Sequence, residues 1–542
     1  MLSIENLRLE SRWDGRQHYT ILDPDFDDGL RFLCLLHAWR MDPRRPDRLH
    51  VIGLLPQLPA ASELLDRLNN LIPEHLRQGA NELAANWPLN LPGIHRIDFE
   101  NGAVTLTLGV GHQSVLMNRM VAKVDLCCPP QASQVDDVPE HLGRIGQQSD
   151  SSYLSWDQFA DSPPKRRAIV VGAGFAGMGV AHALALRGWA VTVIDKHSGE
   201  DVHANDLGQS PTHAQHACAA LTPMVARDDN LRARLSRAGS LRAHIRWGHL
   251  YGSAMNRCGA VQLERDQGRI VDLAAVMQAL EFPHQWARYV DASEASAIAG
   301  QKLARGGIYF STATQVKPQE LIDALSRTAG IHTVRGHVKE VRWQDDQWQV
   351  LDAEGRVLAQ AHYVVIASAL DSFRILNQSG VLPEGSRLSK MHALAGEITF
   401  VPRAVLQGGP QCIVSGDGYV LPAQEGFCVT GSSYAHGAEQ AVTTEAGKAG
   451  NLQRAAGLLN QPDLPDLLGQ SSLSGWAGWR AVLPGRLPMI GPVPDTIGLW
   501  VACGFASRGL TWAPLAGDLI AAALNAEPLP LENDIIDAIS VI

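Results

Sequence analysis

The stretch RRAIVVGAGFAGMGVAHALALRGWAVTVIDKH, residues 166–197, decides how the chain is read. Ala168–Val171 is a short apolar run with strand chemistry. Gly172, Gly174 and Gly177 follow as GxGxxG. Ala181, Leu184 and Ala185 then recur on one face of a helix. Ala190–Ile194 is a second apolar strand and ends in Asp195, 18 residues after Gly177. Gly172 permits a tight turn, Gly174 lets backbone approach a pyrophosphate, and Gly177 lets the helix pack closely on the strand. The helix N-terminus meets the ligand's negative charge, and Asp195 can accept hydrogen bonds from ribose hydroxyls. A lone GxGxxG is a weak signal. Here strand, helix, second strand and acid are in register, which predicts a dinucleotide site on an α/β sheet. Ala173, Phe175, Ala176, Lys196 and Val338 complete the expected cofactor-binding set around this motif.

The fingerprint does not separate NAD from FAD, and the C-terminal region does. GLWVACGFASRGLTWAPLAGDLIAAAL, residues 498–524, reads as a strand, a loop bounded by Gly504 and Gly509, and a long helix. The helix N-terminus can face the pyrimidine end of a flavin, where negative charge develops on reduction. Gly504, Ser507, Arg508, Gly509, Leu510 and Thr511 are therefore expected at an FAD.

Composition sets the frame. A chain of 542 residues exceeds one ordinary core, so several domains are expected. With 45% apolar and 19% charged residues it reads as globular. A net charge of -10 gives no global pull toward nucleic acid or anionic membrane. The eight cysteines (34, 127, 128, 218, 258, 412, 428, 503) form no CxxC pair, which predicts neither a metal site nor a disulfide scaffold and fits a reducing cytoplasm. No signal peptide and no membrane span are expected. Residues 129–165 are polar and rich in Pro, Ser, Gln and Asp, and read as a linker. Residues 1–128 alternate strand-like and helix-like segments: HYTILD, a helix over Leu30–Arg40, LHVIGLL, a helix from Ala61, IHRIDF and AVTLTLGV.

Residues 166–542 resemble the D-amino-acid-oxidase-like FAD oxidoreductases, which include glycine, sarcosine and D-amino acid oxidases. GDGYVLPA (416–423), GWAGWRAVLPGRLPMIGPVPD (475–495), GFASRGLTWAPLAGDLI (504–520) and EPLPLENDIIDAI (527–539) resemble more closely the bifunctional enzymes that build 5-methylaminomethyl-2-thiouridine in tRNA. RLHVIGLLPQLP (48–59) and WPLNLPGIHRIDFENGAVTLTLGVG (87–111) are similar to the methyltransferase half of that family. The resemblance implies a fold and a division: a truncated Rossmann-like methyltransferase domain over 1–128, a linker over 129–165, and an FAD-binding Rossmann-type domain with an inserted mixed β-sheet substrate subdomain over 166–542. It implies tRNA as substrate. Hydride leaves a glycine-like α-carbon for the flavin, the imine hydrolyses, and glyoxylate departs. Arg480 matches the family's carboxylate-binding Arg, whose planar fork suits a carboxylate. Arg508 is expected at the flavin's pyrimidine oxygen or the substrate, and Tyr419 at the border of the substrate pocket. No Cys stands near residue 478, so the flavin is expected to be noncovalent.

The sequence departs from that family in both halves. Where it carries a glycine-rich loop for S-adenosylmethionine, residues 23–29 read DPDFDDG. Asp25 and Asp27 replace glycines, Leu55 and His112 stand where acids are expected, and CCPPQ (127–131) replaces a conserved-looking Asp-Gly-Phe-Ala-Pro signature. The N-terminal domain is expected to be degenerate and without methyltransferase activity. The four acids of this loop lack the sixth-position Gly and terminal Glu of a calcium loop. The flavin-approach loop reads HAQHACAALTP (213–223), with Ala219 among the residues replacing glycines; His213 and His216 read as plain loop residues. MHALAGEITFVP (391–402) has lost a family Arg. Phosphate contacts for tRNA could come from Arg40, Arg44, Arg45 and Arg48, from 165–167, or from the helix at 232–249 with Arg232, Arg242 and Arg246, which reads as a solvated face. Two other readings stay open: an oxidase of free amino acids or amines, and a flavin-binding protein without turnover. Oligomeric state and electron acceptor are not legible.

Overall fold

The computed structural model describes residues 7–26, 28–128, 144–145, 166–197, 215–265, 271–468 and 473–541. The chain divides into two compact units, Met1–Lys165 with Asp518–Ala538, and Arg166–Gly517 with Ile539–Ile542. The stretch 518–538 was read from sequence as part of the oxidoreductase half. It is instead counted with the first unit. Most of the expected linker lies outside the described residues.

The first unit is a five-stranded sheet in the order 93–99, 104–110, 48–55, 18–23, 126–127. The inner strands His18–Asp23, Arg48–Leu55 and Val104–Val110 pair in parallel, and Gly93–Phe99 pairs antiparallel at the edge. Every residue of Arg48–Leu55 is buried, as expected of a central parallel strand covered on both faces. Helix Leu30–Met41 turns Phe32, Leu33 and Leu36 into the core with Ile21, Val51 and Leu106. The segment at the C-terminus is tied into this unit. Arg48 Nε lies 2.7 Å from the fully buried Glu527 Oε1, and Leu529 N donates to Val121 O at 2.9 Å.

In the second unit, the strand order is 331–335, 190–195, 167–171, 363–366, 499–503, 489–492. All pairings are parallel except the last. The helix Phe175–Ala185 follows the first strand. It is buried from Gly177 to Ala185, not on one face alone, because a second helix covers it. That helix is Gly509–Leu524. A Cβ on Gly179 would overlap Ala513 O, and one on Gly517 would overlap Gly179 O. The two helices touch backbone to backbone. An eight-stranded mixed sheet, ending in His392–Pro402 and Gly475–Val482, forms the inserted part. The expected α/β class and flavin-enzyme architecture therefore hold. No helix among the described residues is long and apolar enough to cross a membrane.

One buried acid makes the first unit pH-sensitive. Asp23 ends the strand His18–Asp23, its side chain is 3% exposed, and it pairs with Arg31. Burial outweighs the Arg31 guanidinium and raises its pKa from 3.8 to about 6. Below about pH 4 the carboxyl is protonated folded or unfolded. As pH rises through about 6, the folded form must ionise against its burial. The shift corresponds to about 3 kcal/mol of stability lost by neutral pH. Urea unfolding of the full chain between pH 4.5 and 7.5 should show this fall in wild type and a flatter profile in Asp23→Asn. Parallel profiles would refute it.

Candidate functional site

The nucleotide end of the site is built by the first strand and its helix. Gly172 has φ +110°, and a Cβ there would meet Ala367 O. Nothing lies within 4 Å of where a Gly174 Cβ would stand, so backbone is open to an approaching phosphate. A Cβ on Gly177 would overlap Gly172 O. These are the clearances a pyrophosphate loop requires. Asp195 Oδ2 accepts from Ala173 N at 2.8 Å and Oδ1 from His197 N at 2.7 Å. Each carboxylate oxygen keeps a second lone pair for a ribose hydroxyl. Val338 joins the apolar cluster of Ile169, Val171 and Ile194. Lys196 pairs with Asp371 at 3.2 Å. Ala176 and Phe175 lie in the first turn of the helix.

The flavin-side loop meets this end directly. Gly504 has φ +72°, and a Cβ on Gly509 would stand 2.9 Å from Phe175 Cδ2. The N-termini of the two long helices thus converge, which concentrates unpaired N–H groups and positive potential. Leu510 and Thr511 are buried and Ser507 is exposed. Arg508 Nη1 donates to Thr222 O at 2.9 Å and lies 3.4 Å from Ser236 Oγ. Burial, with Arg232 nearby, pushes its pKa down to about 10. Arg508 therefore ties the flavin loop to the approach loop. His213 and Ala214 of that loop lie outside the described residues. His216 packs against Trp476, with ring centroids 5.0 Å apart. Ala219–Leu221 form a strand against Thr314–Val316.

The expected substrate end is the strand Gly475–Val482. Its last turns of chain adjoin the flavin loop, since Ala506 N donates to Ala481 O at 3.1 Å. Arg480 lies across Gly396 of the neighbouring strand, and a Cβ on Gly396 would overlap its guanidinium. The segment that has lost the family Arg thus supplies clearance for this one. Arg480 Nη2 donates to Ser432 Oγ at 3.0 Å. Its Nη1 is buried and has no acceptor among the described residues. Its Cζ lies 4.9 Å from the centroid of Tyr434. Burial raises the Tyr419 phenol pKa, opposed by Arg480, so both tyrosines sense the same guanidinium. Tyr434 and Ser432 escaped the sequence reading. The stretch VTGSSYAHG (429–437) carries no motif, and only folding brings it to Arg480.

Two expectations about basic residues are corrected. Arg40 pairs with Glu82 and Glu100, Arg44 with Asp14, and Arg45 stacks on Trp39. Arg48 is buried with Glu527. These four do not form a free phosphate-binding patch. The helix Leu231–Arg246 is not a solvated face either, because Arg237, Arg242 and Arg246 are buried. A Cβ on its Gly239 would overlap Thr511 O, so it packs against the C-terminal helix.

In the first unit, a cleft of about 2060 Å³ opens at the ends of the parallel strands, lined by Asp23, Phe26, Asp28, Arg31, Leu55 and His112 among others. The loop after the strand His18–Asp23 is filled from within. Phe26 is buried, stacks with Trp87 and occupies the space beside Gly53. Asp28 Oδ1 accepts from Leu30 N, the first N–H of the helix that follows, at 2.9 Å.

Comparison with known proteins agrees with this geometry. The family described as FAD dependent oxidoreductase (DAO) matches residues 167–523. The tRNA 5-methylaminomethyl-2-thiouridine biosynthesis bifunctional protein MnmC of Cupriavidus necator is 31% identical, over 98% of this chain and 90% of its own length. The protein of the same description from Burkholderia pseudomallei is also 31% identical, over 98% and 91%. Among solved structures, glycine oxidase from Geobacillus kaustophilus superposes with a TM-score of 0.55 at 19% identity, covering 70% of this chain and 99% of its own. Iminodiacetate oxidase from a Chelativorans species gives 0.52 at 22% identity, covering 67% and 96%. The chain belongs to the DAO family of FAD-dependent oxidoreductases and, along nearly its whole length, to the family of the bifunctional tRNA 5-methylaminomethyl-2-thiouridine biosynthesis proteins.

Proposed function

We propose that the chain oxidises the carboxymethylaminomethyl group of a tRNA wobble uridine, releasing glyoxylate and leaving the aminomethyl group. The reading is carried by Arg480. A buried guanidinium nitrogen without an acceptor is costly, on the order of 1–3 kcal/mol, and a substrate carboxylate would satisfy it. The relatives' description supplies the tRNA context. FAD, when bound, accepts the hydride from the carbon between amine and carboxylate. Gly172, Ala173, Gly174, Phe175, Ala176, Gly177, Asp195, Lys196 and Val338 would hold its nucleotide end. Gly504, Ser507, Arg508, Gly509, Leu510 and Thr511 would hold its flavin end. Attachment is noncovalent, since Gly475–Val482 offers no cysteine.

The chain's own residues bind and orient. Arg480 fixes the carboxylate, which places the adjoining carbon relative to the ring. Tyr419 closes the site beside it and keeps water from the guanidinium. Arg508 holds the approach loop to the flavin loop. No side chain has to take a proton if the amine enters neutral, so positioning and electrostatics carry the catalysis.

Residues 1–128 form a degenerate methyltransferase-like domain in this reading. Phe26 fills the space beside Gly53, Asp28 is engaged with Leu30 N, and the acids that the sequence carries at 25 and 27 would meet the cofactor's own carboxylate. A second reading, oxidation of free amines, is favoured by the internal pairing of Arg40, Arg44, Arg45 and Arg48.

Anaerobic reduction of the bound flavin separates these. The purified protein should be yellow, and tRNA carrying the carboxymethylaminomethyl group should bleach it while glycine and sarcosine do so poorly. Faster bleaching by the small amines would move the assignment to a free amine oxidase. Arg480→Ala should lower kcat/KM for the tRNA by about 10²-fold or more while flavin content holds; an unchanged rate would remove Arg480 from the site. Calorimetric titration with S-adenosylmethionine should give no binding heat up to millimolar concentration, and a micromolar Kd would contradict the loss of the methyltransferase site.

A further inference from the structure

We propose that Tyr434 is a specificity-determining residue, the surface on which the substrate's nucleobase stacks while its glycine-like end is held at Arg480. The proposal rests on the tRNA reading of the same site.

Tyr434 follows the strand Phe427–Gly431, in a loop whose residues 434–437 are all exposed. One face of its ring covers the Arg480 guanidinium, with Cζ 4.9 Å from the centroid. Yet the residue is 51% exposed, so the ring also presents surface to solvent. Ser432, two residues before it, accepts from Arg480 Nη2 at 3.0 Å, so the segment that carries the ring is tied to the same guanidinium. Large exposed aromatics with a fixed orientation suit stacking, which accepts any base because every base has a π-face. An exposed ring beside the carboxylate-binding Arg fits a nucleobase and has no use for glycine alone.

The reach agrees. Four single bonds separate the substrate carboxylate carbon from the uracil ring, an extended length of about 5 Å. A carboxylate hydrogen-bonded to guanidinium places its carbon about 4 Å from Cζ. The base edge therefore falls about 9 Å from Arg480 Cζ. The Tyr434 ring centroid, 4.9 Å from Cζ, lies inside that radius, so the exposed edge of the ring is within reach of the base.

Tyr434 could instead act only by covering Arg480. In that case its loss weakens every carboxylate substrate equally, and the two roles part experimentally. The full-length holoenzyme would be titrated with a fluorescent anticodon stem-loop RNA bearing the modified uridine, read by anisotropy. Sarcosine binding would be read by perturbation of the flavin spectrum. Tyr434→Ala should weaken RNA binding by about 10- to 100-fold. The loss for sarcosine should be smaller by about tenfold or more. Tyr434→Phe and Tyr434→Trp should recover most RNA affinity, because they restore the ring without its hydroxyl. Flavin content and melting temperature identify a misfolded variant, and Tyr434→Leu serves as a second ring-less form. Equal losses for RNA and sarcosine, or no recovery with Phe and Trp, would overturn the proposal. Wild-type flavin that sarcosine reduces and modified tRNA neither binds nor reduces would overturn the tRNA reading itself, before any variant is compared.

Discussion

The contact between helices Phe175–Ala185 and Gly509–Leu524 is the constraint on which the flavin half depends. Their backbones meet at Gly179, Ala513 and Gly517, where no side chain intervenes. Closeness at that point brings the two N-termini together at Phe175 and Gly509. The first helix ends at Ala185 and the second begins at Gly509, with the inserted sheet lying between them in the chain. In the proposed reading one terminus would take the pyrophosphate and the other the flavin of a single dinucleotide. Adding one methyl at Gly179 would force the helices apart or cost about 1–3 kcal/mol in overpacking. The nucleotide fingerprint thus has a fourth glycine whose task is helix against helix.

Clearance also governs the substrate end. A guanidinium can lie against a sheet only where the sheet lacks a side chain, and Gly396 provides that gap. The strand His392–Pro402 looked damaged because a family Arg was missing from it. In the folded sheet its glycine is what makes Arg480 possible. Ser432 and Tyr434 then fix two sides of the guanidinium and leave Nη1 without an acceptor among the described residues. A polar network left one partner short is expensive in isolation and favourable once a ligand completes it.

In the first unit, scaffold and site have separate histories. The parallel strands remain fully buried, and the buried Arg48–Glu527 pair fastens the stretch 518–538 to them. Breaking a buried pair of this kind costs about 3–5 kcal/mol, enough to retain the unit whatever happens to its loop. In the loop, Asp28 accepts from Leu30 N, Phe26 fills the space beside Gly53, and Asp23 pairs with Arg31.

The sequence by itself determined the architecture of both units. Glycine spacing, apolar strands and the acid at Asp195 lie within one contiguous window, and short-range constraints of that kind are readable in order. The same holds for the strands and helices of residues 18–110, whose periodicity matches the observed elements closely. What only the tertiary structure decided is who meets whom. Arg40, Arg44, Arg45 and Arg48 looked like a basic cluster, yet each is committed to a partner distant in sequence or to an aromatic face. Of Arg232, Arg242 and Arg246, expected on a solvated face, the last two are buried and the first is half-buried. Gly396 and Tyr434 belong to no motif and shape the site around Arg480. Charge neutralisation and steric clearance are pairwise properties, and their second member is supplied by another part of the chain.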